Sequence, residues 1–173
     1  MWSWFTFWLL LHVLTAIAVF GPTFAFPFIG GFARRDPRNA LVVSEILQGV
    51  ERRIVIPGAV AMPFFGLALI YTGHFDLWQS EWLVISIGLY IVTFFFAVLV
   101  QQQNGMKLVD LLKRIPAPPP KGAMPAGSGG TQGPPPEVAV LTKRLAMGGA
   151  FLILMIVVIV VLMIWRPGAA FTG

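Results

Sequence analysis

His12 sits inside an apolar stretch, LLLHVLTAIAVFGPTF, that covers residues 9–24. An ionisable imidazole in such a setting is a functional-site hypothesis by default. Three kinds of chemistry suit it. A hydroxyl or carbonyl on a neighbouring helix can satisfy the ring and add packing specificity. The ring can be an axial ligand to a b-type haem held between helices, because imidazole ligates haem iron in many proteins. It can also join methionines in a copper site, for which Met62, Met155 and Met163 are the candidates. The other histidine, His74, falls in a loop. A bis-histidine haem would need that loop to fold inward, whereas a five-coordinate haem needs only His12.

A second group is Ser86, Tyr90, Thr93 and Ala97, spaced i, i+4, i+7 and i+11, which puts them on one helix face. His12 lies roughly 10 Å below the outer end of its segment, and Tyr90 roughly 12 Å below the outer end of its own, at ~1.5 Å per residue. Equal depth makes this face the expected partner of His12, with Tyr90 and Ser86 supporting whatever His12 holds. The third group is Arg52 and Arg53 in ERRIVIPG, residues 51–58. These arginines suit haem propionates or lipid phosphates, or serve only as a positive anchor at the membrane surface. No set of residues forms a catalytic constellation. No cysteine exists, which removes disulfides, thiolate metal sites and thiol catalysis.

The elements that carry these groups are membrane spans. The chain has 173 residues, of which 57% are hydrophobic and 11% charged. Soluble domains carry roughly 25% charged residues. Apolar stretches at about residues 5–32, 54–71, 82–100 and 145–165 are each long enough for ~30 Å of hydrocarbon. The expected fold is therefore an all-α bundle of four transmembrane helices. The first stretch is over-long and is expected to tilt or bend at Pro22 or Pro27. Its leader has no Lys or Arg, so it reads as an uncleaved helix rather than a signal peptide. In the second stretch, Pro57 is expected in the first turn, and Pro63 with Gly66 predicts a bend. No Asp, Glu, Lys or Arg falls inside a predicted span, which argues against a proton pump.

The net charge of +5 is not a nucleic-acid footprint, because the basic residues flank the spans instead of forming one stripe. They read as topology signals. Arg34, Arg35, Arg38, Arg52 and Arg53 follow the first span, and Lys107, Lys113, Arg114, Lys121, Lys143 and Arg144 follow the third. Both termini are then outside, the two basic loops cytoplasmic, and anionic lipids are expected at that face. Trp2, Trp4, Trp8, Trp78, Trp82 and Trp165 all fall at the outer interface as an aromatic belt. The first basic loop, DPRNALVVSEILQGVERR, predicts a short amphipathic surface helix, with Asp36 at its N-cap and Pro37 at N1. The second begins with MKLVDLLKR, an extension of the third helix. Residues 115–137 are Pro/Gly-rich and predict a disordered linker.

The segments LLLHVLTAIAVFGPTF, ERRIVIPGAVAMPFFGLAL and VLMIWRPG together resemble an uncharacterised bacterial family of four-helix integral membrane proteins, of the DUF2269 kind. That family is distantly similar to copper-resistance protein D and to the membrane haem-linked protoporphyrinogen oxidase. The resemblance to the oxidase implies haem binding at His12, and it matches Glu51, Arg52, Arg53, Pro57, Gly66 and Leu67 to the start of the oxidase's second helix. The oxidase also carries a lysine and a histidine in its third helix. The segment EWLVISIGLYIVTFFFAVLVQQQ has neither.

The expectation from sequence is a multi-pass protein of the bacterial inner membrane, accessory to other membrane subunits, with haem b at His12. The alternatives are a haem-dependent membrane oxidoreductase of the protoporphyrinogen-oxidase type and a copper or small-solute permease.

Overall fold

The computed structural model describes residues 3–77, 79–115 and 135–167. Among them, four helices are long and apolar enough to cross a membrane: α1 (Trp4–Arg35), α2 (Ala40–Thr72), α3 (Glu81–Arg114) and α4 (Pro136–Trp165). Each contains the span expected at its place and extends beyond it. At ~1.5 Å per residue they run about 45–50 Å, well past the ~30 Å hydrocarbon layer. The bundle is thinly buried, as a lipid-embedded bundle can be. Ile17, Phe28, Phe64 and Ile164 are all more than half exposed and form an apolar outer surface.

The bundle has two ends. One carries Arg34, Arg35, Arg38, Arg52, Arg53, Lys107, Lys113, Arg114, Lys143 and Arg144, and is called the basic end below. The other carries Trp4, Trp82 and Trp165, and is called the aromatic end. Lys121, Trp2, Trp78 and residues 116–134 of the expected linker lie outside the described residues. The last two linker residues, Pro136 and Glu137, form the first turn of α4.

α1 starts at an N-cap, Ser3, whose Oγ accepts from the Thr6 N–H at 3.2 Å. It packs along α2 and also on α4. Pro22 and Pro27 lie within it, and the helix continues through both. The expected cap at Asp36 is displaced. Asp36 Oδ1 accepts from the Arg38 N–H at 3.1 Å, and the Asp36 carbonyl accepts from the Asn39 N–H at 3.0 Å to close a single 3₁₀ turn, Pro37–Asn39, before α2 begins at Ala40.

The expected surface helix is not separate. Residues 40–50 are the first turns of α2, and a π-helical turn, Glu51–Val55, joins them to the apolar segment. Pro57 is therefore interior, not in a first turn. Proline clashes with the carbonyl four residues back and gives that carbonyl no donor. The wider π-turn immediately before Pro57 takes up this misfit, as the Ile56 N–H bonds to the Glu51 carbonyl. The expected extension of the third helix does form: α3 runs to Arg114 through a second π-turn, Ala97–Gln101. The basic ends of α2 and α3 pack on each other, and α3 packs on α4. Leu108, Val109 and Val138 are buried there. A surface ion pair, Lys113 Nζ to Glu45 Oε1 at 3.1 Å, crosses between α2 and α3.

At the aromatic end, the tryptophans do not all face lipid. Trp4 and Trp165 are exposed, but Trp82 is only 6% exposed. It meets Phe75 edge-on, with ring centroids 6.2 Å apart. The Arg166 guanidinium lies over both rings, 5.6 Å from Phe75 and 5.5 Å from Trp82. Arg166 reaches them from a left-handed cap at the end of α4 (φ 47°).

Candidate functional site

α1 meets α2 along a face that carries two glycines. Gly58, Met62 and Gly66 recur at i, i+4 and i+8, so they share one face of α2. Small residues let helix backbones approach closely in a bilayer. Val19 of α1, 1% exposed, fills the position that a Cβ on Gly58 would take. Two turns away, a Cβ on Gly66 would lie 3.7 Å from His12 Cε1 and 4.0 Å from its Nδ1. Trp8 and Phe65 continue the contact toward the aromatic end, with ring centroids 6.3 Å apart. Gly66 thus holds a place for the imidazole that a larger residue would occupy.

His12 Nδ1 is buried and has no hydrogen-bond partner among the described residues. That is unusual, because buried polar atoms are nearly always paired with protein, water or an ion. The expected pairing with the α3 hydroxyls does not form among the described residues: α1 packs on α2 and α4 rather than on this part of α3, and each hydroxyl donates to a backbone carbonyl. Ser86 Oγ donates to the Trp82 carbonyl at 2.7 Å, and Thr93 Oγ1 to the Leu89 carbonyl at 2.7 Å. Tyr90 Oη donates to the Ala59 carbonyl of α2. That last acceptor has a clear origin. In a regular helix, Ala59 would receive the N–H of residue 63, and Pro63 has none. In hydrocarbon an unpaired carbonyl is costly, and a neighbouring side chain re-satisfies it.

Arg52 and Arg53 are exposed on the π-turn of α2. Fourteen residues separate Arg52 from Gly66, about 20 Å along the axis. The arginines and His12 are two separate places on α2, so a haem at His12 would not reach these guanidinium groups.

A second polar layer, not anticipated from the sequence, lies at the basic end. Gln48 of α2 fills the space that a side chain on Gly105 would take, and its Nε2 donates to Glu51 Oε2 at 3.4 Å. Gln101 of α3 does the same over Gly148 of α4, and its Nε2 donates to the Leu145 carbonyl at 2.9 Å. Its Oε1 is buried without a partner among the described residues. The available signal was a glutamine on one helix facing a glycine on the next, which needs the helix register to be known.

No group of three or more His, Cys, Asp or Glu residues converges among the described residues. Residues 6–167 match the family described as "Predicted integral membrane protein (DUF2269)". The chain belongs to the DUF2269 family. No curated protein and no solved structure matches the chain. Family membership and the four apolar helices make this DUF2269 protein a multi-pass integral membrane protein.

Proposed function

We propose that this DUF2269 protein is a non-enzymatic accessory protein of the bacterial inner membrane that holds a haem b through His12. One observation carries the reading: His12 Nδ1 is buried, against Gly66, and no group among the described residues satisfies it. A histidine kept only for packing would hydrogen-bond to a hydroxyl or carbonyl, and His12 Nδ1 has neither among the described residues. The resemblance of the first helix to that of the haem-linked oxidase points the same way.

His12 would hold the haem, and Gly66 would keep the ring face free of a competing side chain. A bound haem would supply one-electron chemistry. The chain itself would orient the imidazole and exclude water with Trp8, Phe65 and Val19. The oxidoreductase alternative needs further polar groups beside the haem, which this interface does not offer. The positive-inside rule places the basic end in the cytoplasm and both termini outside. Arg52 and Arg53 then face lipid phosphates, and the exposed apolar flanks of the bundle are available to other membrane subunits.

A copper reading has one observation in its favour. Met62 is buried one turn from Gly66 on the same face of α2, so a thioether and an imidazole lie at neighbouring levels. The absorption spectrum of the purified protein, with metal analysis, tests both readings. Haem predicts a Soret band that is lost in His12→Ala. Copper without a Soret band would support the second reading, and a colourless protein without metal would overturn both.

A further inference from the structure

We propose that the α3–α4 groove at the basic end is a binding site for one anionic diacyl phospholipid. The groove has a volume of about 550 Å³. It is polarised along the helix axes. Phe96 and Phe151 form its apolar part, packed edge-to-face with centroids 4.8 Å apart, and Leu99 and Met147 flank them. Toward the basic end the lining changes to Gln103, Asn104 and Arg144. Arg144 is exposed and makes no ion pair among the described residues. Lys107 follows Gln103 by one turn on α3 and adds a second cation on that side.

The ligand must therefore be long, apolar over most of its length and anionic at one end. The groove opens sideways, where Leu99 and Met147 are 54% and 64% exposed, so it is entered from the hydrocarbon layer. A phospholipid in the leaflet at the basic end meets these conditions without leaving the bilayer. Its phosphate would lie against Arg144 and Asn104, and an acyl chain against Phe96 and Phe151. The site is independent of His12, and its failure would not bear on the haem reading.

Native mass spectrometry of the full chain, titrated with phosphatidylglycerol or phosphatidylcholine, tests the proposal. The expected result is one tightly held phosphatidylglycerol per chain and several-fold weaker phosphatidylcholine. Arg144→Gln should lower phosphatidylglycerol retention about fivefold, the effect of one basic residue at a membrane surface. Phe151→Ala should weaken it as well, while the double variant R52Q/R53Q should leave it unchanged. Inorganic phosphate should not displace the lipid. Equal retention of the two lipids would overturn the proposal. So would an unchanged Arg144→Gln protein, an equal loss in R52Q/R53Q, or displacement by phosphate alone. Arg144→Gln is exposed and should not disturb folding, and Asn104→Leu provides a second reading of the headgroup contact.

Discussion

Tyr90 repairs the hydrogen bond that Pro63 removes. The hydroxyl of Tyr90, on α3, donates to the Ala59 carbonyl, which lies four residues before Pro63 on α2. The proline that should weaken α2 thereby becomes a point of attachment between two helices. Interhelical side-chain hydrogen bonds in membranes average about 0.6 kcal/mol and reach about 1.7 kcal/mol.

Tyr90→Phe should therefore destabilise the bundle by about 0.6–1.7 kcal/mol, measured by unfolding in mixed micelles. Pro63→Ala restores a backbone donor for Ala59 and should make Tyr90→Phe nearly silent. Additive effects of the two substitutions would contradict this coupling.

Two glycines should respond differently to the same substitution. Gly58→Ala places a methyl against Val19, a short, stiff, β-branched side chain in a tightly packed position. Overpacking of this kind costs about 1–3 kcal/mol. Gly105→Ala meets only the amide end of Gln48, which can swing aside, and alanine gains about 1 kcal/mol of helix propensity over glycine. Unfolding should show Gly58→Ala clearly destabilised, rescued by Val19→Ala, and Gly105→Ala within about 1 kcal/mol of the parent.

The tryptophans should also separate. Trp82→Ala removes a buried ring and the seat of the Arg166 guanidinium, and should cost about 3–5 kcal/mol. Trp165→Ala, at a position 71% exposed, should cost no more than about 1 kcal/mol. Arg166→Gln should lose the cation–π contribution of about 0.5–2 kcal/mol, and this loss should vanish in the combined Trp82→Ala, Phe75→Ala background.

The four spans were legible because hydrophobic length is a one-dimensional signal that any bilayer protein must display. The fate of particular residues was not, because it depends on register between helices. Trp82 reads as an interfacial residue until Phe75 and Arg166 are seen to enclose it. Pro57 reads as a helix start until the π-turn carries α2 through it. Tyr90 reads as a companion of His12 because the two share a depth. Its role is set by Pro63: the missing N–H marks the Ala59 carbonyl as unpaired, but naming Tyr90 as its partner needs the register between α2 and α3. His12 stood out in the sequence, but its contact with Gly66 did not.

Gly66 should control what His12 can hold. Gly66→Ala leaves ordinary van der Waals contact with the imidazole and should be tolerated. Gly66→Leu must push the ring from its place, and should lower haem content more than it lowers the amount of folded protein, compared by absorbance and size-exclusion yield. Loss of fold and haem in equal measure would make Gly66 only a packing residue.

The most direct test is the haem content of purified protein, read as pyridine haemochrome per chain, for the parent and for His12→Gly with and without added imidazole. One haem per chain, lost in His12→Gly and restored by imidazole, is the predicted result. A parent protein without haem, or a His12→Gly protein that retains it, would contradict the account.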